Sequence, residues 1–298
     1  MHNNILITGG EGFVGSHIID KLIDSNYNVI SVDNNCAINS GYLNPKARYI
    51  KADILSDEFE EVFKKYKIEY CIHLAAQTSV TTSINNPYKD AESNILGSIK
   101  VVELCKKYNC KKLIAASSAA VYGNPQYLPI DENHPTNPMS PYGLSKLTME
   151  KYIQLSGVPY IIFRFSNAYG PRQNSSKESG VIAIFDRAMK NNEPINIYGD
   201  GEQIRDFIYV EDIANICVKA LASNIKDEVI NFSTNQGESL NELFDEMSRI
   251  YGYKQEPNYM PERNGDIKDS ILANKIALEI FRDIEFTNII DGLMNLAN

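Results

Sequence analysis

Thr8-Gly9-Gly10-Glu11-Gly12-Phe13-Val14-Gly15 lies between an apolar run, Asn4–Thr8, and an amphipathic stretch from about Phe13 to Ser25. Glycine spacing alone is weak evidence. A strand before it and a helix after it are what a dinucleotide loop requires: a tight turn, a close approach of backbone to pyrophosphate, and a helix N-terminus aimed at it. Eighteen residues past Gly15, Asp33 closes the next apolar run, Asn28–Asp33. A carboxylate there accepts hydrogen bonds from an adenosine ribose and repels a 2′-phosphate, which favours NAD over NADP. Asp53, at another strand end, carries less weight by itself, since a solvated turn carboxylate reads the same way.

Outward from this loop the first half keeps alternating. Strands are predicted at Asn4–Thr8, Asn28–Asp33, Arg48–Lys51, Tyr70–Leu74, Lys112–Ser117 and Tyr160–Phe165, with helices near Phe13–Ser25, Asp57–Tyr66, Pro87–Tyr108 and Pro141–Ser156. Short strands joined by helical crossovers make an α/β, doubly wound parallel sheet. The last of these helices carries its own boundary marks: Ser140 to cap it, Pro141 in its first turn, Gly157 to end it. After Phe165 the pattern changes to loops rich in Asn, Ser, Pro and Gly, with short strands near Ile195–Tyr198 and Arg205–Tyr209 and helices near Val210–Ala222 and Ser239–Tyr251. Ser239 and Glu242 form a capping box for the last. The expected division is a dinucleotide-binding domain over 1–166 and a smaller substrate-binding lobe over 167–298.

The whole chain, 298 residues with 43% hydrophobic and 22% charged residues, can bury a full core. Its formal charge of −9 repels a nucleic-acid backbone, so any anionic ligand must be small and locally met. Five cysteines, Cys36, Cys71, Cys105, Cys110 and Cys217, lack metal-site spacing and fall mostly in apolar runs, which fits buried thiols in a reducing compartment. No stretch reaches the roughly 18 uninterrupted apolar residues of a membrane span, and the N-terminus enters a strand-like run rather than a leader. A cytoplasmic location is the resulting expectation, with neither metal nor membrane partner.

Tyr142 and Lys146 stand four apart on the capped helix and share a face. The same spacing occurs at Tyr42/Lys46 and Tyr108/Lys112, but Pro45 interrupts the first, and the second straddles a helix end and a strand start. Only the third pair lies in a helix following a strand that ends in Ser117-Ser118, which adds a hydroxyl near the same crevice. A phenol of pKa about 10 must lose roughly three units to act as a base near neutrality, or about 4 kcal/mol. An ammonium about 4.5 Å away in an effective dielectric of about 20 supplies nearly that, so Lys146 is expected to hold Tyr142 down against desolvation.

With these residues in place, the chain resembles the extended short-chain dehydrogenase/reductases, and among them the nucleotide-sugar epimerases and dehydratases. The resemblance rests on the Thr8–Gly15 loop, Asp33, Asp53-Ile54, His73-Leu74-Ala75-Ala76, Asn94, Ser117-Ser118-Ala119-Ala120-Val121-Tyr122-Gly123, Tyr142 with Lys146, and Arg205-Asp206-Phe207-Ile208-Tyr209-Val210-Glu211-Asp212. It implies a Rossmann-like fold, bound NAD and catalysis by Ser118, Tyr142 and Lys146. Ser118 and Tyr142 would bond the reacting sugar hydroxyl, and Lys146 would hold the nicotinamide ribose. It further implies NAD contacts from Gly9, Gly12, Phe13, Val14, Gly15, Asp33, Asn34, Asn35, Asp53, Ile54, Leu74, Ala75, Ala76, Gln77, Asn94 and Ser166. Substrate contacts are implied for Asn167, Gly180, Val181, Tyr198, Arg205, Arg263, Asp266 and Ser270. A homodimer through the Pro87–Tyr108 and Pro141–Ser156 helices is expected on the same ground, although their apolar residues fit ordinary core faces equally well.

Members of such a family oxidise a sugar carbinol and differ in the fate of the resulting ketone. Dehydratases resembling this chain carry an acidic pair after the serine or threonine, and the related decarboxylases a glutamate; here stand Ala119 and Ala120, which transfer no proton. Reductases of the family usually prefer NADP, which Asp33 opposes. The expected activity is therefore NAD-dependent 4-epimerisation of UDP-hexoses through a 4-keto sugar, with dehydratase, decarboxylase and keto-sugar reductase as alternatives. Ser270 stands where a tyrosine closes the pocket of epimerases restricted to glucose and galactose. Its small side chain leaves room for a 2-acetamido group, which extends the expected substrates to UDP-N-acetylglucosamine and UDP-N-acetylgalactosamine.

Overall fold

Ile5 and Ile7 enter one hydrophobic core and Leu6, between them, enters another, because successive side chains of a strand point to opposite faces. A strand buried on both faces belongs inside a parallel sheet covered by helices on each side. The computed structural model, which describes residues 3–34, 42–174, 180–262 and 267–297, places it there. In chain order the first part runs β1 (Asn4–Thr8), α1 (Phe13–Asp24), β2 (Asn28–Asp33), β3 (Arg48–Lys51), α2 (Asp57–Tyr66), β4 (Tyr70–His73), α3 (Val80–Asn85), α4 (Pro87–Ala91), a π-helical turn (Glu92–Leu96) and α5 (Gly97–Lys107). Next come β5 (Lys112–Ser118), a 3₁₀ turn (Ala119–Val121), α6 (Pro141–Ser156), β6 (Tyr160–Phe165), β7 (Asn167–Tyr169), α7 (Val181–Lys190), β8 (Asn196–Tyr198), β9 (Ile204–Tyr209) and α8 (Val210–Ala222). The rest is β10 (Glu228–Phe232), β11 (Gly237–Ser239), α9 (Leu240–Tyr251), β12 (Asn258–Met260), β13 (Asp269–Ser270), α10 (Lys275–Ile280) and α11 (Ile289–Ala297).

Seven strands form the large parallel sheet in the order β10-β6-β5-β4-β1-β2-β3. From β1 the chain steps through β2 and β3 on one side, then crosses to β4 on the other. That reversal opens a crevice beyond the carboxyl ends of β1 and β4, the place where ligands bind in open sheets of this kind. A second sheet holds β11-β9-β13 with β7 also on β9, and β12 pairs with β8 in a third.

Two departures from the sequence expectation bear on the site. The helix expected over Pro87–Tyr108 is interrupted by the π turn, which carries more residues per turn than an α-helix. Asn94 within it is buried and makes four side-chain hydrogen bonds. The second departure concerns the division at residue 166. Strand β10 returns to the large sheet beside β6, with Asn231 opposite Arg164, and Ile213, Cys217 and Ala220 of α8 share the core of Ile5 and Ile7. Residues 210–232 thus pack with the first domain, as do Ala277 of α10 and Phe281 just after it, and the small lobe is built from the remaining parts of the second half. Within that lobe α7 occupies a stretch read as loop; its Ile182, Phe185 and Met189 pack with Phe244 and Met247. No helix among the described residues is long and apolar enough to cross a membrane, and no group of three or more His, Cys, Asp or Glu among them could hold a metal ion.

Candidate active site

The glycine loop is shaped by close approach. Gly9 has φ +73°, and a Cβ on it would fall 2.7 Å from the Ala75 nitrogen; one on Gly15 would fall 2.4 Å from the Gly9 carbonyl oxygen. Such contacts admit no side chain. Helix α1 begins behind the loop with Gly12 as its N-cap, a residue with no side chain to cap it, so its first N–H groups form the bare positive end that suits a pyrophosphate. The crowded glycines and this open helix end fit a dinucleotide. Asp33, buried at the end of β2, accepts from the Glu11 N–H at 3.1 Å and so stands at the loop's edge. Asp53 caps the turn into α2 by accepting from the Leu55 N–H at 2.8 Å, and its other oxygen accepts from Asn34 Nδ2 at 3.3 Å. Ile54 is buried, with its Cδ1 only 2.5 Å from where a side chain on Gly97 would begin. Phe13 meets His17 edge to face, and Val14 packs on the sheet core. Asn35, Arg263 and Asp266, expected contacts, and Cys36 lie outside the described residues.

Beyond β4 the chain passes Leu74, Ala75 and Ala76, all half-buried along the crevice. His73, at the end of β4, is a buried tie. Ser98 Oγ donates to the Asn94 carbonyl at 2.6 Å, so it accepts from His73 Nε2 at 2.9 Å, and His73 Nδ1 accepts from Thr8 Oγ1 at 2.7 Å. Burial holds this imidazole neutral, with its pKa pushed down to about 3. Next to it, the Gln77 N–H donates to Asn94 Oδ1 at 2.8 Å while Asn94 Nδ2 donates back to the Gln77 carbonyl at 2.9 Å. Asp90 and Ser145 complete this cluster.

Ser118 ends β5, and its hydroxyl accepts from the Ala120 N–H at 3.2 Å and acts on the Tyr142 phenol in the direction that favours its ionised form. Ser140 caps α6 by accepting from the Gly143 N–H at 3.1 Å, which fixes where Tyr142 enters. Lys146, one turn on, is buried; its Nζ donates to the Ala116 carbonyl at 2.9 Å and lies 6.0 Å from the Tyr142 ring centroid. The structure therefore brings the three expected catalytic side chains together. The electrostatics differ from the expectation that Lys146 holds Tyr142 down. Burial pushes the Tyr142 phenol up, Ser118 opposes this and Asp90 adds to it, while burial pushes Lys146 itself down to about 8. In the protein alone desolvation outweighs attraction, so further positive charge must come from what binds.

Behind α6 lies a network that sequence reasoning did not single out. Glu150, wholly buried, accepts from Arg164 Nε and Nη2 at 2.9 and 2.7 Å and from Ser117 Oγ at 2.5 Å. Arg164 also donates to the Tyr122 hydroxyl at 2.8 Å, and that hydroxyl donates to Asn231 Oδ1 at 2.7 Å. Glu150 falls four residues after Lys146, and that spacing is the signal that could have found it. Asp90, four before Asn94, had the same kind of signal.

Three of the expected substrate residues, Asn167, Arg205 and Ser270, lie on the second sheet. Asn167 Nδ2 on β7 donates to the Asp206 carbonyl on β9 at 3.1 Å, and Ser270 on β13 stands directly opposite Arg205 on β9. The Arg205 guanidinium is clamped to backbone, donating to the carbonyls of Ile204, Ile267 and Lys268 at 2.8, 2.7 and 2.9 Å. Asp206 is buried beneath, accepting from Thr234 and from the Leu272 N–H and facing the Ser166 hydroxyl; burial pushes it up to about 6. Gly180 and Val181 open α7, and Tyr198 lies apart from these on the two-stranded sheet.

The family model for the NAD dependent epimerase/dehydratase family matches residues 5–232 of the chain. A Methanocaldococcus jannaschii protein, provisionally named a UDP-glucose 4-epimerase, is 48% identical over 269 residues, covering 88% of this chain and 87% of its own. The crystal structure of a UDP-glucose 4-epimerase from Thermotoga maritima with UDP-glucose superposes with TM-score 0.93 at 39% identity, covering 99% of this chain and 97% of that one. A UDP-N-acetylglucosamine 4-epimerase from Methanobrevibacter ruminantium in complex with UDP-N-acetylmuramic acid gives TM-score 0.94 at 35% identity over 100% and 98% of the two chains.

Proposed function

Because the chain belongs to the NAD dependent epimerase/dehydratase family, we propose that it inverts C4 of a UDP-hexose, working on UDP-glucose and UDP-galactose and on their N-acetylated counterparts. The observation that carries this reading is Ser118 at the end of β5 beside Tyr142, with Lys146 one turn along α6 and 6.0 Å from the Tyr142 ring, at the carboxyl edge of the sheet that bears the glycine loop. NAD, held by the glycine loop with Asp33 and Lys146, would supply the hydride acceptor and donor at the sugar carbon. The chain's own part is proton handling and orientation. Tyr142 takes the proton from the C4 hydroxyl and gives it back to the 4-keto sugar after the ring has presented its other face. Ser118 holds that oxygen in line, and Lys146 keeps a positive charge beside the phenolate as it forms. Ala119 and Ala120, in the turn directly after Ser118, have no titratable group with which to drive elimination or decarboxylation.

The glycine loop, Asp33, Asn34, Asp53, Ile54 and the Leu74–Gln77 stretch with Asn94 are assigned to the cofactor. Asn167, Gly180, Val181, Tyr198, Arg205 and Ser270 are assigned to the nucleotide sugar. A guanidinium pre-set by three carbonyls loses little freedom on meeting a diphosphate. Ser270, opposite Arg205, has a small side chain that fits a substrate carrying an acetamido group. Ile84, Tyr88, Leu96, Leu144, Tyr152 and Leu155 expose large apolar surfaces on α3, α4, the π turn and α6, and a second copy of the chain is the partner that covers them. The four described cysteines are unpaired and buried, which fits the reducing cytoplasm.

The test is incubation of the NAD-loaded protein with UDP-galactose and, separately, UDP-N-acetylglucosamine in deuterated water, read by NMR. The C4 epimer with its own hydrogen at C4 is expected. Deuterium at a sugar carbon, loss of water, or stoichiometric consumption of added NADH would replace epimerisation by elimination or net reduction.

A further inference from the structure

Asp90 is 1% exposed, yet the hydrogen bonds that hold its carboxylate come from neutral groups: Gln77 Nε2 at 2.8 Å and Asn94 Nδ2 at 3.1 Å, both on Oδ1. The same Asn94 Nδ2 reaches Ser145 Oγ at 3.1 Å, and Ser145 Oγ donates to the Tyr142 carbonyl at 2.9 Å. One amide thus fastens the carboxylate to the turn of α6 between Tyr142 and Lys146. Lys146, equally enclosed, donates to the Ala116 carbonyl, which accepts a hydrogen bond but supplies no compensating charge. Four titratable groups act on it electrostatically or share its turn. Glu150 on its own helix is already paired with Arg164, His73 from β4 is neutral, and Tyr142 is a phenol at rest. Among the described residues Asp90, from α4, is the negative charge left to act on Lys146.

We propose that Asp90 is a positioning residue whose fixed carboxylate is the counter-charge that keeps Lys146 an ammonium beside Tyr142. The proposal rests on the reading of Tyr142 and Lys146 as the machinery of epimerisation. Its sign is definite. A buried negative charge favours the protonated form of every neighbour, and Asp90 raises both Lys146 and Tyr142. Removing that charge lowers both, so the pair, which titrates as a unit, moves as a unit.

Asp90→Asn keeps an oxygen for Gln77 and Asn94 and removes the charge. In the NAD-loaded enzyme both limbs of the kcat–pH profile are expected to move to lower pH by about one unit, with KM for UDP-galactose held within about twofold. Asp90→Glu, which keeps the charge, should leave the limbs near their original positions. Lys146 is also read without turnover, by NMR titration of protein labelled at the lysine ε-carbon and assigned with Lys146→Arg; its midpoint should fall with the limbs. Should the asparagine variant fail to fold, Asp90→Ser must show the same displacement. Loss of activity at every pH with limbs and midpoint in place would overturn the counter-charge role. A protein inert towards UDP-sugars whose Lys146 midpoint still falls would refute the epimerase reading and sustain the role of Asp90.

Discussion

A Cβ on Gly143 would lie 2.5 Å from the carbonyl oxygen of Ala120. The first turn of α6 therefore rests on the 3₁₀ turn just after Ser118, and this contact sets how closely Tyr142 approaches Ser118. Gly143→Ala must push the two turns apart. Overpacking of this kind costs about 1–3 kcal/mol, and a displacement on the order of 1 Å at a catalytic pair costs about 100-fold in rate. The expected result is a kcat lower by about 10- to 100-fold with NAD still retained, measured by coupled assay and by the cofactor's absorbance in the purified protein. Unchanged turnover would mean that the turns can separate without disturbing the pair.

Removing the acid–base group should affect rate more than binding. Tyr142→Phe keeps the ring in its half-buried slot and deletes the proton carrier; general acid–base catalysis is worth about 10²–10⁴, and kcat should fall within that range. Ser118→Ala removes the hydroxyl beside the same oxygen and should cost about 10-fold or somewhat more. Both variants should hold UDP-sugar with little change, which isothermal titration can check. Rates within twofold of the parent for Tyr142→Phe would remove the phenol from the mechanism.

What the sequence revealed about this site was what local chemistry encodes. The Thr8–Gly15 loop, the Ser140–Pro141 start and Gly157 end of α6, and the Ser239–Glu242 capping box each depend on neighbours a few residues away, and each takes its expected form. The return of β10 to the large sheet depends on its pairing with β6, more than 60 residues earlier, and no local pattern announces such a partner. The π turn that buries Asn94 likewise arises from packing against Gln77, Asp90 and Ser145 rather than from propensity. Gly143 did leave a trace, since a glycine inside a helix costs about 1 kcal/mol relative to alanine and asks for a reason. The electrostatic balance at Tyr142 has the opposite sign from the one the sequence suggests, because burial, which dominates it, is a property of the folded chain.

Leu155 is 85% exposed on α6, and with Leu144 and Tyr152 it falls at helical spacings that share one face. Three large apolar side chains so arranged are costly to leave in water, and a stable dimer buries about 1,200–2,000 Å². If the proposed dimer forms through this face, Leu155→Glu should place a charge in it and yield a monomer, measured by light scattering coupled to gel filtration, with the circular dichroism unchanged. A parent protein that is already monomeric at micromolar concentration would show that nothing covers the face under those conditions.

Stability against pH should hold two opposing slopes. His73 is neutral in the fold with its pKa near 3, while an unfolded histidine titrates near 6.5. Its contribution is therefore present above about pH 6.5 and is lost on acidification, at about 1.4 kcal/mol per pH unit. Asp206 has the reverse sign: its folded pKa of about 6 exceeds the unfolded value near 3.9. The stability it confers is full below about pH 4 and is lost as the pH rises to 6. Between about pH 4 and 6 one slope offsets the other. Asp206→Asn removes only the second, whatever constant offset its amide introduces, so the variant should lose stability relative to the parent by about 2–3 kcal/mol between pH 6 and 4 and run parallel to it above pH 7. Urea unfolding at half-unit intervals measures the difference. Parallel curves throughout would mean that Asp206 is ionised in the fold down to its ordinary range, and that its hydrogen bonds from Thr234 and Leu272 outweigh its burial.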